Sequence, residues 1–214
     1  HGTCRRQRQM CIRDSRKRAS IGVHDLAKLA PPFTVKAVSG DTKFTPLAAT
    51  EPMSIKEIMA EHPKGIEYAH LLSEFDRYPI ILDAENNVLS FPPIINGDHT
   101  TVTKETKDFF IDVTGWDIRA CESSLMLIAL QLQEYGGIIE TVEVTNCFGE
   151  TNVYPNGSAV EHKLTIAAIQ GLLGGKLTEE AISGAINRMG GKLVACDDEL
   201  ITLEMPRWRF DILH

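Results

Sequence analysis

A chain of 214 residues, 43% of them hydrophobic, is long enough for one large domain or two modest ones with cores of their own. Residues 1–18 hold seven basic side chains (Arg5, Arg6, Arg8, Arg13, Arg16, Lys17 and Arg18) against Asp14. The body keeps 15 basic and 28 acidic residues, a net charge of −13. A body this acidic excludes a general nucleic-acid clamp, which needs a basic surface to neutralise phosphates; any RNA it handles is a small part, such as a single-stranded end. No apolar run is long enough to span a bilayer, and no apolar stretch follows the Arg-rich start, which therefore does not read as a secretory signal. Five cysteines (Cys4, Cys11, Cys121, Cys147 and Cys196) form no CxxC pair. That argues against a disulfide framework or a zinc site and fits a reducing, cytoplasmic compartment.

Residues 1–15 lack an amphipathic period and read as a disordered or non-native leader; the functional alternative is a basic RNA-binding arm. Pro31-Pro32, Gly40-Asp41 and Pro46 then divide the first stretch into short extended pieces. Ser54-Ile55-Lys56-Glu57 is a capping box that predicts a helix to about His62. After Pro63 a second short helix is expected, with Ile66, Ala69, Leu72 and Phe75 on one face. Residues 79–83 and 88–91 read as a hairpin around Ala84-Glu85-Asn86-Asn87. Phe109–Val113 is an apolar strand ending at Thr114-Gly115. Asp117 can cap the longest helix, to about Glu134, with Leu125, Ile128, Ala129 and Leu132 at helical spacing. Gly136-Gly137 stops it, and 139–145 alternates as a strand.

A break at Tyr154–Gly157 precedes two predicted helices, 161–173 and 178–189, each ended by a Gly-Gly pair. Lys192–Pro206 reads as a hairpin turning at Asp197-Asp198-Glu199. The chain thus divides into two α+β units, the second of about 60 residues and marginal alone by its surface-to-volume ratio.

GxSxG, HExxH, Walker and GxGxxG motifs are all absent, which argues against a serine-hydrolase elbow, a zincin or a nucleotide-phosphate cradle. The densest candidate segment is Val88–Asp98. Pro92-Pro93 sends the chain out of the sheet on a rigid path, and Asn96-Gly97 offers a turn. Ser90 and Asn96 either point into a site or merely serve the backbone. In residues 109–115, alternation puts Phe110, Asp112 and Thr114 on one face. A carboxylate and a hydroxyl aimed into a pocket is one reading; an exposed polar face is the other. His24 and His99, each beside an aspartate, are acid/base candidates or structural histidines. Asp211 opens an apolar run with the look of a helix start.

Six segments in fixed order carry a resemblance: ASIGVHDL (19–26), PPF (31–33), HPKG (62–65), YPIILD (78–83), LSFPPIIN (89–96) and FIDVTG (110–115). Together they resemble the B3/B4 editing domain of phenylalanyl-tRNA synthetase β subunits of the archaeal/eukaryotic kind. NRMG (187–190) and RFDILH (209–214) resemble the B5 domain that follows it.

The resemblance implies a mixed α/β B3/B4-type editing domain over 16–155 and a B5 domain, cut at its C-terminal end, over 156–214. It implies hydrolysis of tyrosine wrongly attached to tRNA(Phe), within an (αβ)2 heterotetramer whose α subunit performs the ATP-dependent aminoacylation. ATP would serve the whole enzyme and not this segment. Ser90, Asp112 and Thr114 are the expected catalytic-pocket residues, with Ile81 lining the pocket and Asn96 a weaker addition. Asp211 matches the first acidic ligand of a Mg2+ site in B5 whose other ligands would lie past His214. A non-catalytic assembly or tRNA-contact module of the same synthetase is the alternative.

Overall fold

The computed structural model describes residues 19–175 and 178–212, so the leader expected over 1–15 lies outside the described residues. Contacts divide the chain into two compact units, His1–Gln131 and Leu132–His214.

The first unit runs β1 (Ala19–Asp25), β2 (Thr34–Val38), β3 (Lys43–Phe44), β4 (Met53–Ser54), α1 (Ile55–Glu61), α2 (Pro63–Tyr68), β5 (Tyr78–Leu82), β6 (Val88–Phe91), β7 (Ile95–Asn96) and β8 (Phe109–Gly115). Helix α3 (Ile118–Glu134) carries the division between the units, upstream of the break read at Tyr154–Gly157. Four strands form an antiparallel sheet in the order β2-β5-β6-β7, while β1 pairs antiparallel with β8 and β3 with β4. Ile80, Leu82, Val88, Phe91 and Ile94 pack with Ile55, Ile58, Tyr68 and Leu72 in one core.

The capping box opens α1 as predicted: Ser54 Oγ accepts from Glu57 N at 3.2 Å, and the Glu57 carboxylate accepts from Ser54 N at 2.6 Å. His62 ends α1 and begins α2, where its Nδ1 accepts from Lys64 N at 3.2 Å with Pro63 at the first helical position. The expected apolar face of the second helix needs correction. Gly65, Tyr68 and Leu72 are buried, while Ile66 and Phe75 are exposed. Gly65 and Tyr68, three apart, turn the helix toward the core and leave Ile66 on the solvent side; the chain then tightens to a 3-10 turn over Ala69–Leu71.

The hairpin turn between β5 and β6 rests on Asp83, whose Oδ1 accepts from Asn87 N at 2.8 Å and Glu85 N at 3.0 Å. Its Oδ2 accepts from Asn87 Nδ2 at 3.1 Å, and Asn86 takes the left-handed conformation at φ 64°. Burial pushes the Asp83 carboxyl up, but these donors together outweigh it and hold the group below its ordinary value of 3.8. A carboxylate bound more weakly by protons when folded stabilises the fold above pH 3.8 and loses that contribution as pH falls through its lowered value. Acid unfolding of wild type should therefore steepen below pH 3.8, and Asp83→Ala should flatten that limb in a thermal-melt series. At neutral pH the same variant should cost about 2 kcal/mol, the scale of hydrogen bonds to a charged group.

Asp117 caps α3, its Oδ1 accepting from Arg119 N at 3.0 Å and Ala120 N at 3.2 Å. Of the stripe read from sequence only Ala129 is buried, joined by Ala120, Ser124 and Met126. Met126 and three small side chains are covered there, whereas Leu125 and Ile128 stay half-buried.

The second unit continues with β9 (Val142–Thr145), β10 (Thr151–Tyr154), β11 (Val160–Thr165), α4 (Ile166–Leu173), α5 (Glu179–Arg188), β12 (Lys192–Cys196) and β13 (Leu200–Met205). The helix expected over 161–173 begins only at Ile166; residues 160–165 form the edge strand of a β11-β13-β12 sheet. Valine, histidine and leucine alternate there with glutamate, lysine and threonine, a two-residue period that decides for strand. Thr165 then caps α4 by accepting from Ala168 N at 3.3 Å. Ile182 and Ile186 of α5 pack on Ile201, Leu203 and Met205 of β13. Asp197 Oδ1 closes the β12–β13 turn from Glu199 N at 2.8 Å and Leu200 N at 2.7 Å. No helix among the described residues is long and apolar enough to cross a membrane.

Candidate functional site

Three of the candidate residues lie in one row across the four-stranded sheet, for register pairs Ile81 with Ser90 and Ser90 with Asn96. Ile80 and Leu82 face the helical core, so alternation turns Ile81 to the opposite side. The Phe91–Ile94 turn through Pro92-Pro93 brings β7 back beside β6, and Ser90 Oγ donates to Asn96 Oδ1 at 3.2 Å. Ser90 is buried and Asn96 half-buried.

Asp112 and Thr114 are placed by the β1–β8 ladder. Its register sets Gly22 opposite Asp112, Ser20 opposite Thr114 and His24 opposite Phe110, all on one face. Ser20 Oγ and Thr114 Oγ1 are 2.9 Å apart. Asp112 Oδ1 lies 2.8 Å from His24 Nε2, and His24 Nδ1 lies 2.8 Å from Thr100 Oγ1. Thr100 Oγ1 in turn lies 3.1 Å from the Gly97 carbonyl. His24 is 0% exposed, and Thr100 is 1% exposed. A Cβ at Gly22 would overlap Asp112 Oδ1 and stand 2.8 Å from His24 Nε2, so only glycine permits this arrangement.

The second Asp112 oxygen is as informative as the first. Oδ2 receives no hydrogen bond from any described residue, yet among the described residues no fully buried side-chain oxygen or nitrogen lacks a partner. Oδ2 therefore keeps a narrow opening to solvent, on a side chain that is 9% exposed. A carboxylate tethered at one oxygen and open at the other can accept a hydrogen bond from a ligand hydroxyl or a water.

The predicted residues thus form two groups, Ile81/Ser90/Asn96 and Asp112/Thr114, with no direct side-chain hydrogen bond between them among the described residues. The segment from Asn96 to Thr100 links them. A cavity of about 330 Å³ beside that segment is walled by Val23, Leu47, Val102, Asn96, Thr100 and Thr101. Of the predicted residues only Asn96 lines it. Apolar walls with a few polar groups are the usual composition of a small-ligand pocket.

His99, the other histidine singled out, is exposed, next to the buried Thr100. Partial desolvation of the ring holds its imidazole below its ordinary range, against a weaker upward pull from the Asp83 and Asp98 carboxylates. Two participants carried little signal in the sequence. His24 stood out only as a histidine beside an aspartate, and Thr100 not at all; Gly22 acquires meaning only from its partner across the ladder.

Asp211 is engaged by Arg209, with Nε on Oδ1 and Nη2 on Oδ2, both at 2.8 Å. The guanidinium holds this carboxyl below its ordinary range. No group of three or more His, Cys, Asp or Glu side chains able to hold a metal occurs among the described residues. A hard cation needs several oxygens, so the described residues do not by themselves make a Mg2+ site.

The B3/4 domain family model matches residues 15–131. Phenylalanine–tRNA ligase β subunits of Methanosarcina acetivorans and Methanocaldococcus jannaschii are 47% and 43% identical over 200 and 201 residues. The matches cover 94% and 92% of this chain but 36% of each relative, so the chain spans about a third of their length. An N-terminal fragment of the phenylalanyl-tRNA synthetase β subunit from Pyrococcus horikoshii superposes with a TM-score of 0.89 at 34% identity. That match covers 97% of this chain and 60% of the fragment. The chain therefore belongs to the B3/4 domain family, as a segment of the phenylalanyl-tRNA synthetase β-subunit type.

Proposed function

We propose that this chain is the editing segment of a phenylalanyl-tRNA synthetase β subunit, releasing tyrosine from mischarged Tyr-tRNA(Phe). The observation that carries the reading is the Asp112 carboxylate, tethered through Oδ1 and open at Oδ2, on a strand inside the B3/4 match. A pocket built for phenylalanine rejects tyrosine poorly, because the larger substrate only adds a hydroxyl. A second pocket that accepts a hydrogen bond from that hydroxyl reverses the preference, since phenylalanine would leave its polar group unpaired.

In this reading Asp112 accepts from the tyrosine hydroxyl or orients the attacking water. Thr114 and Ser90 position the aminoacyl ester, Ile81 lines the pocket and Asn96 holds Ser90. Water oxygen bonds to the ester carbonyl carbon, the bond from that carbon to the ribose oxygen breaks, and the water proton ends on the ribose oxygen. The tetrahedral intermediate calls for donors to its oxyanion, a role open to hydroxyls of the site and of the tRNA itself. The rest of the enzyme would supply ATP-dependent aminoacylation, through an α subunit in an (αβ)2 assembly in the cytoplasm. Residues 16–155 would be the editing domain and 156–214 a B5-type domain. The acidic body suits contact with the acylated 3′ end alone.

The test is deacylation of Tyr-tRNA(Phe) and Phe-tRNA(Phe) by the 214-residue chain. Preferential release of tyrosine is the expected result. No release from a chain shown to be folded would favour the assembly or tRNA-contact role instead.

A further inference from the structure

We infer that His24 is a positioning residue of the editing site: it holds Asp112 Oδ1 so that Oδ2 alone is presented to the substrate. The inference rests on the proposed function. It concerns a residue that touches neither substrate nor solvent, because His24 is wholly buried.

Three observations carry it. First, both imidazole nitrogens are committed, Nε2 to Asp112 Oδ1 and Nδ1 to Thr100 Oγ1, each at 2.8 Å. Asp112 Oδ1 only accepts, so the Nε2–H tautomer makes this tether; Nδ1 then accepts from the Thr100 hydroxyl, which also lies 3.1 Å from the Gly97 carbonyl, and the ring is held at both ends. Second, Gly22 leaves the space in which ring and carboxylate meet; any side chain there would push them apart. Third, the anchor reaches the cavity, for Thr100 and Gly97 form part of its lining while bonding back toward His24. A satisfied core histidine needs one partner from the nearest backbone. This one bridges a strand, a 3-10 turn and a carboxylate whose second oxygen has no partner among the described residues.

Fixing a hydrogen-bond acceptor in one orientation matters to catalysis because small misplacements are costly. A displacement of about 1 Å can cost on the order of 100-fold in rate. The tether should therefore act on turnover of the tyrosyl ester more than on capture of the tRNA.

The experiment is a double-mutant cycle in the 214-residue chain, read as kcat and KM for release of tyrosine and of phenylalanine. His24→Leu should lower kcat for tyrosine release roughly 10- to 100-fold, with KM nearly unchanged. Phenylalanine release should stay near its low wild-type level. His24→Gln, which keeps an amide N–H within reach of Asp112, should recover most of the loss. In an Asp112→Ala background, His24→Leu should cause no further fall, because the carboxylate it positions is gone. If His24→Leu does not fold by circular dichroism, Thr100→Val removes the anchor with little change of shape and should show the same pattern more weakly. Equal losses in both backgrounds, or wild-type turnover in a folded His24→Leu, would overturn the inference while leaving the proposed function intact. Absence of tyrosine release by the wild-type chain would overturn both.

Discussion

Replacing Asp112 by alanine is expected to cut tyrosine release from Tyr-tRNA(Phe) by about 100-fold or more, the scale of a lost positioned acid–base or acceptor group. The effect follows from two features of one side chain. Its Oδ2 reaches accessible space without a partner among the described residues, while Oδ1 is held at 2.8 Å by a buried histidine. Removal also leaves His24 Nε2 unpaired in the interior, which should cost about 1–3 kcal/mol of stability. Asp112→Asn separates the two consequences. The amide can still meet the imidazole, so the variant should keep most of the stability and lose most of the discrimination between tyrosine and phenylalanine. Single-turnover deacylation beside urea denaturation reads both quantities. A folded Asp112→Ala chain that still prefers tyrosine would remove Asp112 from the site.

Gly65→Ala is expected to be the most destabilising small substitution in the first unit, by about 3 kcal/mol, at the upper end of overpacking costs. Helices α1 and α2 meet at this glycine. A Cβ there would overlap the Ile58 carbonyl oxygen and stand 2.9 Å from Met59 Cα. These are backbone atoms, which no rotamer change can move aside. Separating the helices would also open the core around Ile58, Tyr68 and Leu72, which are 0%, 7% and 4% exposed. Gly157→Ala is the matched control, since a Cβ there meets nothing within 4 Å. It should be neutral or raise stability by about 0.4–1 kcal/mol through the lower entropy of the unfolded chain. Urea midpoints at unchanged slope would compare the two. Equal behaviour would mean that the helices separate at little cost.

The parts of this protein legible in the sequence are those closed by hydrogen bonds a few residues apart. The Ser54–Glu57 box, the Asp117 cap on α3 and the Asp83–Asn87 turn all form as their residue types predict. Each pairs a side chain with an amide two to four positions away, so its geometry depends on little else. The longer family resemblance rests on segments in a fixed order and agrees with the B3/4 match over 15–131.

Tertiary structure decided what depends on distant pairing. Alternation along β8 puts Asp112 and Thr114 on one face without saying what they meet there. The β1–β8 ladder supplies those neighbours, setting His24 against a carboxylate 88 positions away and Ser20 against a hydroxyl 94 positions away. The buried face of α2 carries Gly65 and Tyr68 instead of Ile66, because the close approach of α1 at Gly65 sets which side of the short helix meets the core. Residues 161–165 form a strand in place of the helix expected there, because their two-residue alternation matches pairing with β13. Local chemistry is decided by neighbours in the chain, where few conformations compete. Register and the surroundings of a buried polar group are decided by residues that meet only on folding, which is why Gly22, His24 and Thr100 became meaningful only once the strands were paired.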